Sequence, residues 1–248
     1  MAVIPDALDR QLRVYVDSLQ TTLTGRVEAV YLVGGLALDD FSERFSNVDL
    51  VVVTEGPVDL RSEASCRRAE RVLRHAHRGG AVWYTTWSEV AGGLVPAPGG
   101  TSRPVAERRT DELDTPLTRA LLRDEAVPLV GPDWPVVYYS EAELRSWCTA
   151  KLIGLAEQAA SQSMVMRTQV TPLVLEAARL AVGSLAGQVV SKSEAADAAS
   201  RLVPHHFRRI LDDAVGFRGG ARTSMYWGPF ERKYDARALI KRLAEAVS

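Results

Sequence analysis

A glycine pair followed by an acidic residue could together hold a nucleotide's phosphate chain and a divalent metal ion. Residues 31–35 read Tyr-Leu-Val-Gly-Gly, and residues 46–54 read Ser-Asn-Val-Asp-Leu-Val-Val-Val-Thr. Gly34 and Gly35 let the backbone approach a phosphate closely, and amides of the following turn can donate to its oxygens. Alternate strand residues face the same side of a sheet, so Asn47 and Asp49 are predicted to face the bound phosphates.

The metal chemistry of this segment depends on one carboxylate. Asp49 is predicted as a ligand of Mg²⁺, which neutralises a triphosphate and positions an attacking hydroxyl for in-line displacement. Asn47 offers an amide oxygen but no negative charge. Asp39 and Asp40 could add to the metal site from the turn, or could serve the turn itself. We therefore expect a site in which Asp49 and Asn47 carry the chemistry.

β-rich segments should place these residues at the centre of a sheet. Residues 27–33 and 48–53 are mostly apolar, as in strands covered on both faces. The other elements predicted in this half are helices over 5–23, 59–77 and 117–123, a strand over 81–86, a loop over 92–104 and an edge strand over 127–133. The arginines of the 59–77 segment indicate either a solvated helix face or an anion-binding surface.

The composition changes near residue 138, and the rest of the chain is helical in pattern. We predict two domains, 1–138 and 139–248, the second entirely α-helical. Its helices are expected over 141–161, 172–186, 191 onward, 205–217 and 234–247. Thr171 and Ser191 are the predicted N-caps of the second and third, and Gly187 is the predicted stop of the second.

Charge and composition limit the partners. A net charge of -1 provides no general attraction for nucleic acid or an anionic membrane, so an anionic ligand needs a local cluster. No basic leader or membrane-length apolar run is evident, which favours a cytoplasmic protein without a membrane partner. Cys66 and Cys148 lack metal-type spacing and are predicted to be inert free thiols.

The 34–49 segment resembles the motif of the nucleotidyltransferase superfamily, Gly-Gly or Gly-Ser followed after a spacer by Asp-x-Asp. Residues 175–180, 187–196 and 201–214 resemble the helical domain of the aminoglycoside adenylyltransferases that modify streptomycin and spectinomycin. This resemblance implies a mixed α+β fold. A small nucleotidyltransferase-type sheet flanked by helices would be followed by an α-helical bundle.

The resemblance also implies a function. The protein would bind ATP and Mg²⁺ in an interdomain cleft and transfer an adenylyl group to a hydroxyl of a small molecule, such as an aminoglycoside-like antibiotic or an amino sugar. Gly34 and Gly35 would cradle phosphate, and Arg179 and Lys192 would bind the triphosphate. Lys192 follows the Ser191 cap, where the helix dipole already favours an anion. Otherwise Lys192 is an exposed lysine beside an ordinary cap, and Arg179 is an ion-pair partner of a neighbouring acid.

The chain departs from the family pattern at three positions. Asn47 replaces an aspartate, and Gln169 replaces an acid that contacts the aminoglycoside. The strand over 81–86 lacks the carboxylate that serves as the general base in the family. Replacement bases could be Glu89, Glu107 or Glu112. These departures support an alternative, a repurposed protein that keeps the ligand cleft without metal-dependent transfer.

Overall fold

The computed structural model describes residues 4–43, 45–58, 64, 66–71, 73, 80–92 and 113–248. The chain clusters into two compact units. The first comprises residues 1–41 and 46–139, and the second comprises residues 42–45 and 140–248. Within the described ranges, no helix is both long enough and apolar enough to cross a membrane.

The first unit is built on a four-stranded sheet. Its strands are β1 (Val27–Val33), β2 (Asp49–Thr54), β3 (Val82–Thr85) and β4 (Val127–Val130). They lie in the order β3-β2-β1-β4, with β1 antiparallel to β2 and β4, and β2 parallel to β3. The prediction that 27–33 and 48–53 form the centre of the sheet is confirmed. Their β-branched residues other than Val27 are buried because neighbouring strands and the hydrophobic core cover them.

The helices of the first unit are α1 (Asp6–Thr22), α2 (Trp87–Gly92) and α3 (Pro116–Asp124), together with helical residues at 64, 66–71 and 73. Leu12, Tyr15 and Leu19 form the buried stripe of α1 and share one core with β1 and β2. In the predicted basic helix, Arg67, Arg68 and Arg71 are exposed. Arg61, Arg74 and Arg78, and the predicted loop from residue 93 to 104, lie outside the described residues.

The described residues of the second unit form helices and connecting turns, with no strand. Its elements are α4 (Glu141–Ser161), α5 (Arg167–Ala186), α6 (Lys192–Leu202), a 3-10 turn (His205–Phe207), α7 (Arg208–Arg218) and α8 (Pro229–Val247). Helix α5 packs against α4, α6, α7 and α8, and its buried residues form the centre of the unit. The predicted fold class, mixed α and β with a helical second half, is confirmed.

Two predicted helix starts are wrong. Helix α5 begins at Arg167, where the Gln169 side chain accepts hydrogen bonds from the Val165 and Met166 N–H groups at 3.2 and 3.1 Å. Thr171 is therefore not its cap, and Pro172 lies inside the helix, where it removes one backbone donor. Helix α8 begins at Pro229 instead of Tyr234, because Gly228 occupies the N-cap position and proline is well suited to the first helical turn. The predicted stop at Gly187 is confirmed by its left-handed φ of 66°.

Candidate functional site

The glycine turn and Asp49 lie side by side at one end of the central strand pair. The last residue of β1, Val33, pairs with Asp49, the first residue of β2. Gly34 follows with a φ of +78°, and a Cβ atom at this position would lie 3.1 Å from Asp49 Oδ2. Glycine is thus favoured both by the backbone conformation and by the close approach of the carboxylate.

The turn after β1 is compact. The Leu38 N–H donates to the Gly34 carbonyl at 3.2 Å, and the Asp40 N–H donates to the Gly35 carbonyl at 2.9 Å. Residues 34–39 form turns and do not begin a helix. Asp39 has a φ of 52°, a conformation that aspartate tolerates better than most residues, which fits the turn role considered for it.

The start of β3 holds the Asp49 carboxylate in place. Asp49 Oδ1 accepts a hydrogen bond from the Ala81 N–H at 3.1 Å, while the Leu50 N–H donates to the Ala81 carbonyl at 2.9 Å. The side chain and the backbone at this point of β2 are therefore both tied to the neighbouring strand. This arrangement leaves Oδ2 as the carboxylate oxygen nearest to Gly34.

Asn47 lies two residues before β2 and is exposed. Val48 and Leu50 point into the core, with exposed fractions of 2% and 0%, so the alternation places Asn47 and half-buried Asp49 on the other side. Within the described part of the chain, no group of three or more His, Cys, Asp or Glu is arranged to hold a metal ion. Asp49 therefore lies beside the glycine turn, with Asn47 two residues earlier on the same side and Asp39 and Asp40 in or next to the turn itself.

The candidate base Glu89 has a structural role. Its Oε2 accepts hydrogen bonds from the Thr86 N–H at 2.9 Å and the Thr85 hydroxyl at 3.0 Å, while the Glu89 N–H donates to Thr86 Oγ1 at 3.3 Å. Thr86 and Glu89 thus form a reciprocal capping box, which the Thr-x-x-Glu spacing could have predicted. The other two candidates, Glu107 and Glu112, lie outside the described residues.

In the second unit, Arg179 and Lys192 are brought together by a carboxylate. Arg179 Nη2 donates to both oxygens of Glu176, at 2.9 and 2.8 Å, and Lys192 Nζ lies 3.9 Å from Glu176 Oε2. Lys192 opens α6 directly after the Ser191 N-cap, whose predicted role is confirmed by reciprocal hydrogen bonds of 3.0 and 3.2 Å with Glu194. Sequence reasoning allowed for an acidic partner of Arg179 but did not identify Glu176, which lies one helical turn earlier.

The two cations favour the ionised form of Glu176. Burial by itself raises the pKa of its carboxyl, but Arg179 and Lys192 together hold that pKa below its usual value. The buried Nε of Arg179 makes no hydrogen bond with the described residues. Glu176 also lines a cavity of about 580 Å³ between α4 and α5, together with Trp147, Lys151, Gly154 and Leu180.

Gln169 provides no carboxylate for a cationic ligand. Its side chain is exposed at the start of α5, where its oxygen accepts from two backbone N–H groups. The position at which the resemblance implies an acid therefore supports a helix terminus in this chain.

Comparison with known proteins shows the fold. No family model matches the chain, and no curated protein sequence matches it. The crystal structure of spectinomycin adenyltransferase AAD(9) from Enterococcus faecialis, determined with ATP and spectinomycin, is similar, with a TM-score of 0.68 and 14% sequence identity. The match covers 94% of this chain and 98% of that chain. The chain therefore has the fold of this spectinomycin adenyltransferase.

Proposed function

We propose that this protein is a nucleotidyltransferase that binds ATP with Mg²⁺ and transfers the adenylyl group to a hydroxyl of a small molecule. The observation that carries the proposal is the contact between Gly34 and Asp49 on this fold. Phosphates held by the backbone of the glycine turn would lie beside the carboxylate, where a metal ion could bind both.

The residues fit a metal ion that arrives with the nucleotide. Mg²⁺ is commonly bound by one or two carboxylates together with substrate phosphates and water. Asp49 supplies one carboxylate, and Asn47 can add a neutral oxygen. When bound, Mg²⁺ neutralises phosphate charge and orients the reacting groups. Asp49 would hold it, and the backbone at Gly34 and Gly35 would contact the phosphates.

The proposed reaction is a displacement at the α-phosphorus. The acceptor's hydroxyl oxygen forms a bond to that phosphorus, the bond to the bridging oxygen of the β-phosphate breaks, and pyrophosphate leaves with the bonding electrons. The hydroxyl proton is released to water. In this scheme Arg179 and Lys192 bind the departing phosphates, where their charge stabilises the leaving group.

The acceptor class is proposed from the neighbour and from one local difference. AAD(9) was crystallised with spectinomycin, so spectinomycin is the first acceptor to test. Neutral Gln169 offers no charge to a polycation, which favours hydroxylated acceptors with few amino groups. A panel should therefore include aminoglycosides, amino sugars and neutral sugars.

The test measures pyrophosphate release from ATP and Mg²⁺ across this panel. We expect release with at least one acceptor and its loss in Asp49→Asn. The matched control is Asp9→Asn, which removes a carboxylate paired with Arg13 on the surface of α1 and should leave the rate unchanged. Absence of release with every acceptor, with ATP binding intact, would contradict the proposed reaction.

A second candidate function is nucleotide binding without transfer. Two observations favour it: Asn47 lacks the charge of a second metal ligand, and Glu89 is engaged in a capping box. Calorimetry with ATP separates the two functions. Binding that requires Mg²⁺ supports transfer, and binding that is indifferent to Mg²⁺ supports the second candidate.

A further inference from the structure

Glu176 is a negative charge fixed within the pair of cations assigned to the phosphates. Arg179 Nη2 donates to both of its oxygens, and Lys192 Nζ approaches one of them from the start of α6. The side chains of Arg179, Glu176 and Lys192 are 15%, 29% and 29% exposed, so solvent screens their charges only partly.

The Glu176 carboxylate is close enough to both cations to repel a phosphate that they bind. It lies 2.8 Å from Arg179 Nη2 and 3.9 Å from Lys192 Nζ, and its side chain is 29% exposed. A phosphate bound by Arg179 would compete with Glu176 for the Nη2 donor or would lie close to its carboxylate. In both cases the phosphate meets a repulsive charge beside the two attractive ones.

This repulsion grows with the charge of the ligand. A free nucleoside triphosphate carries about four negative charges near pH 7.5, and its magnesium complex carries about two, so a fixed carboxylate penalises the free form roughly twice as much in energy. One carboxylate beside two cations therefore does more than reduce affinity. It changes which form of the nucleotide is preferred.

We propose that Glu176 is a specificity-determining residue that disfavours the metal-free triphosphate relative to its magnesium complex. The proposal rests on the proposed function, because it requires Arg179 and Lys192 to bind the phosphates. It assigns to Glu176 a role that the motifs of the chain did not indicate. Glu176 makes the preference for the magnesium complex partly a property of the second unit, independent of the ligands at Asp49 and Asn47.

Equilibrium binding of ATP tests the proposal, measured in EDTA and in excess MgCl₂ at one ionic strength. Glu176→Gln keeps the shape of the side chain and removes its charge. We expect this variant to bind metal-free ATP about tenfold more tightly and the magnesium complex about threefold more tightly than the wild type. The preference for the magnesium complex should therefore fall by about threefold.

The matched control is Glu245→Gln on α8. Glu245 also pairs with one lysine and one arginine, Lys241 at 3.8 Å and Arg242 at 3.4 Å, but lies away from the cluster in sequence and on another helix. Both affinities should stay at the wild-type values in this variant. If Glu176→Gln is poorly folded, Glu176→Ala makes the same prediction with the best helix-forming residue.

Four results would contradict the inference in different ways. A fall in affinity for both ligand forms would show that Glu176 positions Arg179 for binding. An equal rise for both forms would show a charge effect without selectivity. If the wild type binds neither form of ATP, the phosphate role of Arg179 and Lys192 fails, and both proposals fail with it. If the wild type binds ATP but the variants keep the same preference for the magnesium complex, only the inference about Glu176 is refuted.

Discussion

Gly34 is in contact distance of Asp49: a Cβ atom on the glycine would lie 3.1 Å from the carboxylate oxygen Oδ2. The glycine has a φ of +78°, which an L-amino acid with a side chain rarely adopts. The nearby carboxylate and the left-handed backbone both favour glycine at residue 34, where the phosphates and the metal ion are proposed to bind.

The Gly34→Ala variant should lose both stability and ligand binding. We expect about 1 kcal/mol of destabilisation from the left-handed backbone. Mg²⁺-dependent ATP binding should also weaken, because Asp49 must move to make room. Gly25→Ala is a matched control, since Gly25 has a φ of +71° but nothing within 4 Å of a Cβ atom. Urea unfolding and ATP titration of both variants separate the two effects; equal ATP affinities would contradict the site assignment.

Restoring a carboxylate at residue 47 should increase metal dependence. Asn47 is exposed on the same side as Asp49, so Asn47→Asp places a second carboxylate near the proposed metal. We expect the gain in ATP affinity on adding Mg²⁺ to grow on the order of tenfold, because ligand charge tunes metal affinity. Gln20→Glu adds the same charge to the exposed face of α1 and should leave the gain unchanged. An equal gain in ATP affinity on adding Mg²⁺ in both variants would show that residue 47 does not contribute to metal binding.

Asp213 should be essential for the stability of the helical unit. It is 2% exposed, accepts from Arg167 Nε and Nη2 at 3.1 and 2.9 Å, and lies 3.5 Å from Arg232 Nε. Asp213→Asn leaves the buried Arg232 and the largely buried Arg167 without their carboxylate, a change that costs about 3–5 kcal/mol. Asp212→Asn, at the exposed neighbouring position, should cost less than about 0.5 kcal/mol. Urea unfolding measures both; similar losses would contradict the assigned role of Asp213.

The buried thiol of Cys148 should make stability fall at alkaline pH. Burial raises the pKa of Cys148 to about 12 from an ordinary value of 9.0. The unfolded chain releases this proton first as the pH rises, so the thiol's contribution is complete below pH 9 and is lost between pH 9 and 12. Unfolding free energies at pH 8 and pH 10 should differ more in the wild type than in Cys148→Ala. Equal differences in the two proteins would show that the thiol ionises readily in the folded state.

The central strands and most helices could be predicted because their signals are local. The apolar run at 27–33 and the caps at Ser191 and Gly187 each determine structure within a few residues. Pro172 was misleading because proline usually marks a first turn, whereas α5 is long enough to tolerate the missing donor. The start of α8 at Pro229 was missed, although glycine before proline is a local signal for a helix start.

The candidate site was less predictable than the fold. The nearness of Gly34 and Asp49 could be expected, because consecutive strands commonly pair. The partner of Arg179 could not be chosen from the sequence, since an acid at i−3 is common on solvated helix faces and only packing shows that Glu176 also reaches Lys192. Glu89 was considered as a base because its capping partner, Thr86, was assigned to the strand.

β4 also limits contact between molecules. It has four half-exposed residues at one edge of the sheet, and its second residue, Pro128, has no backbone N–H. A strand from another molecule would find a short and interrupted row of donors there. We therefore expect β4 to be a poor template for strand-to-strand aggregation at high protein concentration. The pairing of β1 with β2 does not depend on this edge.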